Sequence, residues 1–307
     1  MLSRRTFLTV AAAAATVARR RPACAGAAEA FFISLNGSLT HQKVPWPEFA
    51  RLAARLGYGG ADVNLDAAAK LGADDTRALF AELKIKPGIV SLPVRLGTDE
   101  ALFQEGMRRL DESARFAATI GCPRMMTVLP PSSPTPKIEY RKLIKDRLLA
   151  IAEVLQRSSV RLGLEFLGPM HFRSRQPYAF IWRMDETLEL SRECGSNVGL
   201  TLDAWHWHHA GATPDDILAA GRSRIVHVHV SDARAQPPEE VRDNQRLFPG
   251  EGVIDLRTFF QSLKTIGYTD AVSPEPIGRV PAEMSPEEGA RLGLETTLAA
   301  IRKAGVA

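Results

Sequence analysis

Two short stretches decide the fold: residues 198–203 read Val-Gly-Leu-Thr-Leu-Asp, and residues 225–231 read Ile-Val-His-Val-His-Val-Ser. Both are short, largely apolar and rich in β-branched residues, so they predict strands of a buried parallel sheet. Six further runs of this kind lie beyond residue 30. They are Phe31–Asn36, Ala61–Leu65, Pro87–Leu92, Arg124–Leu129, Val160–Phe166 and Ala271–Glu275.

The segments between these runs have the pattern of amphipathic helices. Leu256, Phe259, Phe260 and Leu263 share one helical face by their i, i+3, i+4 and i+7 spacing. Eight strand–helix units without a change of composition predict an α/β protein of one domain, a closed (β/α)₈ TIM barrel over residues 29–307. No Gly-x-Gly-x-x-Gly motif follows any predicted strand, so the sequence does not suggest a dinucleotide-binding fold.

The first 28 residues have a different character. Ser3-Arg4-Arg5-Thr6-Phe7-Leu8 is followed by an uncharged, Ala-rich stretch and then by small residues at 23–27. This order resembles a twin-arginine signal, which implies export to the periplasm and cleavage of residues 1–28. The alternative is a disordered basic tail.

The net charge of +4 depends on this segment, because residues 1–25 contain five arginines and no acidic residue. Their removal leaves a net charge of −1. A nearly neutral domain has no excess of cations for phosphates, so we expect no nucleic-acid partner. No apolar run reaches about 18 residues, so we also expect no stable membrane anchor. Assembly into a homo-oligomer stays open.

Four consecutive strands end in a residue that can bind a metal ion: Glu165, Asp203, His229 and Glu275. In a closed barrel these strand ends are neighbours on one rim, so the side chains converge. Three carboxylates repel one another there unless a cation binds between them, and the set therefore predicts one divalent metal ion. Singly, each has another explanation, because a carboxylate often caps the next helix and a strand histidine often lies in the core.

Several other residues point to the same rim. His227 shares the inward face with His229, and we expect it to pack beneath that ligand. Asn36 ends the first strand and is a candidate substrate contact. Arg234 and Arg246, in the long loop after the seventh strand, could bind substrate oxygens or be solvated. Trp207 could form an apolar wall against a sugar or pack between a strand and a helix.

Four motifs follow one another along the chain: Leu164–Pro169, Leu202–Trp207, His227–Asp232 and Pro249–Asp255. In this order they resemble those of the xylose-isomerase-like TIM barrels, and within them the sugar phosphate isomerase/epimerase family that includes inosose isomerase and ketose 3-epimerases. The resemblance implies that Glu165, Asp203, His229 and Glu275 bind one divalent ion, often Mn²⁺, with Mg²⁺, Co²⁺ or Zn²⁺ as alternatives. It also implies that His206 contacts the substrate.

The resemblance implies a reaction that fits these residue types. Isomerisation of a hydroxy-carbonyl compound removes a proton beside the carbonyl, and the resulting enediolate needs a cation near its oxygens. It also needs a carboxylate on each face of the carbon. Glu165 and Glu275 are the implied catalytic residues. We therefore expect a metal-dependent isomerase or epimerase of a non-phosphorylated sugar, keto-sugar or keto-inositol.

There are three alternatives to this function. A 3-keto-glycoside lyase or hydrolase would use the same metal and bases. A non-catalytic periplasmic sugar-binding protein would not need both Glu165 and Glu275. Related barrel endonucleases that cut abasic DNA use three zinc ions, whereas this sequence offers one set of four ligands and no basic excess.

Overall fold

The computed structural model describes residues 31–306. The predicted signal, residues 1–28, lies outside the described residues. Eight parallel strands close into a barrel, as predicted. They are β1 (Phe32–Leu35), β2 (Gly60–Val63), β3 (Lys86–Ser91), β4 (Arg124–Val128), β5 (Arg161–Glu165), β6 (Val198–Asp203), β7 (Ile225–Val230) and β8 (Ala271–Pro274).

Helices surround the barrel and alternate with its strands. Two short 3₁₀ helices, Gly37–Thr40 and Asp243–Gln245, lie in loops. The α-helices are α1 (Glu48–Leu56), α2 (Leu65–Leu71), α3 (Ala73–Leu83), α4 (Glu100–Thr119), α5 (Lys137–Arg157), α6 (Met170–Arg173), α7 (Met184–Cys194), α8 (Ala204–His209), α9 (Pro214–Arg224), α10 (Leu256–Thr265) and α11 (Pro286–Lys303).

The strand order around the barrel is β1-β8-β7-β6-β5-β4-β3-β2. The barrel closes where β1 pairs with β8, with Phe32 opposite Ala271. Strands β5 to β8 therefore form one continuous half of the wall and β1 to β4 the other. This arrangement is the (β/α)₈ barrel that the sequence predicts, with its active face at the carboxyl ends of the strands.

The apolar helix faces pack onto the barrel. In α10, Phe259, Phe260 and Leu263 are completely buried, as their helical spacing predicts. Gly267 follows this helix with φ +70°, a left-handed conformation that suits glycine and lets the chain turn back into β8. Burial of apolar side chains such as these is the main favourable contribution to folding.

Two long connections cover the carboxyl-end face. The loop after β5 contains α6 and a two-residue strand, Tyr178–Ala179, which pairs with Ser132–Ser133 from the loop after β4. The loop after β7 runs to α10. None of the helices within residues 31–306 has the length and apolarity that crossing a membrane requires.

Candidate metal centre and active site

The strand register brings the four predicted ligands together. Glu165 ends β5, Asp203 ends β6, and Glu275 follows β8 directly. His229 in β7 is paired with Asp203 on one side and with Ser273 on the other. Because parallel neighbours in register present adjacent side chains, the ligands meet over the carboxyl end of the barrel.

The four donor atoms lie within 4.8 Å of one another. His229 Nδ1 is 2.8 Å from Glu165 Oε1 and 3.5 Å from Glu275 Oε2. Glu165, Asp203 and His229 are buried, whereas the Glu275 side chain is 18% exposed toward the cavity. Ligands bound to one ion at about 2.0–2.2 Å lie no more than about 4.4 Å apart, so a small contraction would complete a site.

The donor chemistry also fits a divalent cation. Three carboxylate oxygens and one imidazole nitrogen form a mostly hard ligand set, which suits Mn²⁺ and accommodates Zn²⁺ or Co²⁺. Asp203 also uses its other oxygen, Oδ1, to accept a hydrogen bond from Trp205 N at the start of α8. It therefore caps that helix and still directs Oδ2 toward the cluster.

Arg246 is the counter-ion of this cluster. Its guanidinium Nη1 lies 2.7 Å from Asp203 Oδ2 and 3.1 Å from Glu275 Oε2, and Nη2 lies 2.8 Å from Asp243 Oδ1. The side chain is almost completely buried over the Trp205 ring, with Cζ 4.7 Å from the ring centroid. The structure thus places Arg246 in the site rather than in solvent.

The position of Arg246 is fixed by the fold of its loop. Asp232 and Leu247 form an antiparallel backbone bridge, with N···O distances of 2.9 and 2.8 Å. The Asp232 carboxylate also accepts hydrogen bonds from the backbone N–H groups of Gly250, Gly252 and Ile254. These contacts fix both ends of the Pro-Gly-Glu-Gly turn at residues 249–252. Arg246, which precedes this turn, is thereby positioned over the barrel.

Burial and charge separate the pKa values of the carboxylates. Burial raises the pKa of Glu275 to about 7, against the opposing effect of His229 and Arg246. Burial also acts to raise the pKa of Asp203, but Arg246 and His206 lower it to about 2. A carboxyl whose pKa lies near neutrality suits acid–base catalysis, whereas one that stays ionised suits a permanent ligand.

The pKa values of the histidines in the site also differ from one another. Burial acts to lower the pKa of His229, but the carboxylates of Glu275 and Glu165 raise it to about 10. Burial lowers the pKa of His206, whose Nε2 is 3.2 Å from Arg246 Nη2. His227 is completely buried, and its ring centroid lies 4.9 Å from that of His229, as expected for a residue packed beneath the ligand.

Asp62 is a site residue that the sequence reasoning missed. Its carboxylate accepts hydrogen bonds from Ser34, Asn36 and Ser273, at 2.7 to 3.0 Å. With His227 and His229 it forms a second group of potential ligands. The available signal was one acidic residue within the apolar run Ala61–Leu65, and a single carboxylate there does not reveal which side chains face it.

A cavity of about 920 Å³ opens above these residues. Of the predicted substrate contacts, Asn36, His206 and Arg246 line it. Arg234 is exposed and is not among the lining residues. Trp207 is buried, packs against the Phe259 ring and donates a hydrogen bond to the Thr213 carbonyl oxygen, so the structure gives it the packing role.

The fold and the site define a class of α/β-barrel protein with a four-residue centre suited to a divalent metal ion. The chain belongs to the xylose isomerase-like TIM barrel family, whose sequence profile matches residues 50–300.

Comparison with individual proteins agrees with this assignment. The chain is 28% identical to the inosose isomerase of Bacillus licheniformis over 176 residues, which cover 55% of this chain and 61% of that protein. A xylose isomerase domain protein from Alicyclobacillus acidocaldarius superposes with a TM-score of 0.81 at 29% identity, over 90% of this chain and 100% of the other. The structure of the IOLI protein with a bound zinc atom gives a TM-score of 0.76 at 24% identity, over 89% and 99%.

Proposed function

We propose that the protein is a divalent-metal-dependent isomerase or epimerase of a non-phosphorylated keto-sugar or keto-inositol. The observation that carries the proposal is the pairing of Glu165 and Glu275 on either side of His229, with Asp203 beside them. Two carboxylates around one small volume can remove a proton from carbon and return it, which is the requirement for both reactions.

The roles follow from the surroundings of each residue. Glu165, Asp203, His229 and Glu275 would hold the ion, which when bound supplies a Lewis acid next to the carbonyl. Glu275, whose side chain is the more exposed of the two toward the cavity, takes the proton at carbon, and Glu165 serves the opposite face. Arg246 and His206 orient hydroxyl oxygens of the substrate from the side of the cavity that they line.

The charge of the cavity supports a substrate without phosphate. Among residues 31–306, Arg246 is the one Lys or Arg that lines the cavity, and its guanidinium already contacts Asp203, Glu275 and Asp243. A phosphate group binds best to free cations or to a cradle of backbone N–H groups. The protein offers its substrate mainly hydroxyl, amide and imidazole groups instead.

Relatives support the metal-dependent reaction, and the sequence supports the location of the protein. The zinc atom in the IOLI protein and the inosose isomerase activity of a relative support a metal-dependent reaction on a cyclic polyol ketone. We favour Mn²⁺ because three of the four ligands are carboxylates. The twin-arginine pattern at residues 3–8 supports a periplasmic location.

The test is incubation of the Mn²⁺-loaded protein with keto-sugars, inososes and 3-keto-glycosides in D₂O, read by NMR. The proposal expects deuterium to enter the carbon beside the ketone of at least one compound. Loss of the C1 substituent would assign the lyase reaction instead. Binding without exchange for every compound would favour a sugar-binding protein and contradict the proposal.

A further inference from the structure

We propose that the cavity has a second subsite, which binds an apolar, planar substituent carried by the sugar ring. The substrate class would then be a keto-glycoside with an aromatic aglycone, or a ring of similar shape, rather than a free sugar. This inference rests on the proposed function, because the metal centre defines where the reacting ring lies.

The first argument is size. The four metal-binding side chains occupy one small part of the cavity, with their donor atoms within 4.8 Å. The whole cavity of about 920 Å³ lies near the top of the range, about 300–1,000 Å³, that accommodates drug-sized ligands. One sugar ring at the metal centre leaves much of this volume unfilled.

The second argument is the distribution of polarity around the barrel. Strands β5 to β8 carry the metal-binding residues, and β1 to β4 form the opposite half of the wall. That opposite half contributes polar residues to the cavity, among them Asn36, Asp62 and Ser91, and beside them an apolar patch. The patch consists of Trp46, Phe49, Val63, Ile89, Met126 and Val128.

The patch is held rigidly by its neighbours. The Trp46 ring packs against Phe80 of α3, with the ring centroids 5.7 Å apart. Phe49, Val63 and Ile89 are buried except for the few per cent of their surface that remains accessible. Val128 at the rim is 44% exposed. A preformed surface of this kind binds an apolar ligand without first ordering side chains.

The third argument selects the kind of substituent. Val63, Ile89 and Met126 cannot form hydrogen bonds with hydroxyl groups. A second sugar ring that lay on these side chains would lose hydrogen bonds to water without replacing them, and this loss would weaken its binding. An aromatic ring loses none and can stack on the Trp46 indole, which lines the cavity.

The experiment compares three unreactive probes by calorimetry on the Mn²⁺-loaded protein: methyl β-glucoside, phenyl β-glucoside and cellobiose. We expect the phenyl glucoside to bind about tenfold more tightly than the methyl glucoside. Trp46→Ala should bring the two affinities close together, and Trp46→Phe should keep part of the difference. Leu298→Ala, on the outer helix α11, is the control and should leave the ratio unchanged.

Equal affinities for phenyl and methyl glucosides in the wild-type protein would overturn the inference. Tighter binding of cellobiose would replace it with a second sugar site, and no binding of any glycoside would also overturn it. If Trp46→Ala does not fold, Val128→Asp at the exposed rim tests the same patch and should weaken phenyl glucoside binding. Deuterium exchange on keto-sugars is measured separately and tests the proposed function. Tighter binding of the phenyl glucoside without any deuterium exchange would therefore contradict the proposed function but not the aromatic subsite.

Discussion

The Arg246 guanidinium lies 2.7 Å from Asp203 Oδ2, and both side chains are almost completely shielded from solvent. The same guanidinium is 3.1 Å from Glu275 Oε2. One positive charge therefore balances two of the three carboxylates that we propose as metal ligands. In the metal-bound protein, a divalent ion would share those carboxylates with Arg246.

Arg246→Met should destabilise the metal-free protein and make its stability depend strongly on metal. Removal of one partner from a buried ion pair leaves an uncompensated charge and typically costs about 3–5 kcal/mol. Saturating Mn²⁺ restores much of this loss, because an ion that binds only the folded state stabilises it. The measurement is the free energy of unfolding in denaturant, with and without Mn²⁺.

The matched control is Arg279→Met. Arg279 pairs with Glu251 at 3.0 Å, but both side chains are more than one-third exposed. Such a surface pair contributes at most about 1 kcal/mol. Equal losses in the two variants, or a loss in Arg246→Met that Mn²⁺ does not reduce, would contradict the electrostatic role of Arg246.

Glu275→Gln and Asp203→Asn separate ligation from proton transfer. Each substitution weakens one ligand, but Glu275 also carries the proton in our account. At saturating Mn²⁺, Asp203→Asn should recover part of its activity, whereas Glu275→Gln should remain about 100-fold to 10,000-fold slower than wild type. The measurement is the rate of deuterium exchange as a function of Mn²⁺ concentration. Equal recovery would make Glu275 a ligand only and leave His206 as the next acid–base candidate.

Metal binding should release protons, and its affinity should rise with pH. In the metal-free site, burial raises the pKa of Glu275 to about 7, and carboxylates raise that of His229 to about 10 despite its burial. Both groups must lose a proton to bind the ion, so the bound state holds fewer protons. We expect release of about two protons per ion below pH 7 and about one between pH 7 and 10.

Calorimetry of Mn²⁺ binding in buffers of different ionisation enthalpy measures this proton release directly. Glu275→Gln is the control, because it removes the group that titrates near pH 7. The variant should lack the proton that Glu275 releases below pH 7, and the pKa of His229, which Glu275 helps to raise, should fall. An affinity that is independent of pH would show that the ligands are already deprotonated in the metal-free protein.

The export prediction is tested on the paired arginines. Replacement of Arg4 and Arg5 together by Lys keeps the charge but removes the feature that the twin-arginine receptor reads. The variant should accumulate in the cytoplasm, as measured by cell fractionation. Unchanged export would assign the segment to the general secretory route, and cytoplasmic wild-type protein would show that it is not a signal.

The fold was predictable because most residues of the barrel strands are buried, and three of the strands are buried throughout. That burial makes most of the strands apolar runs, and each of the eight predicted runs overlaps an observed strand whose bounds differ from it by at most two residues. The candidate metal site was predictable for a related reason. Ligands at the ends of consecutive strands are brought together by the backbone register alone, as the Asp203–His229 pairing illustrates.

The loop residues were less predictable because their positions depend on contacts between distant parts of the chain. Arg234 and Arg246 lie in one loop and have the same side chain, yet Arg234 is exposed and Arg246 is buried among acids. The Asp232–Leu247 bridge makes this difference, and no local pattern encodes it. Asp62 was missed because its partners Ser34 and Ser273 come from two other strands.

The most direct test of the central claim is the number of Mn²⁺ ions that the mature protein binds, measured by calorimetry and elemental analysis. The account predicts about one ion per chain in the wild-type protein, and much weaker binding in Asp203→Ala and His229→Ala variants that remain folded. Failure of the wild-type protein to bind Mn²⁺, Co²⁺ or Zn²⁺, or unchanged binding in both variants, would contradict it.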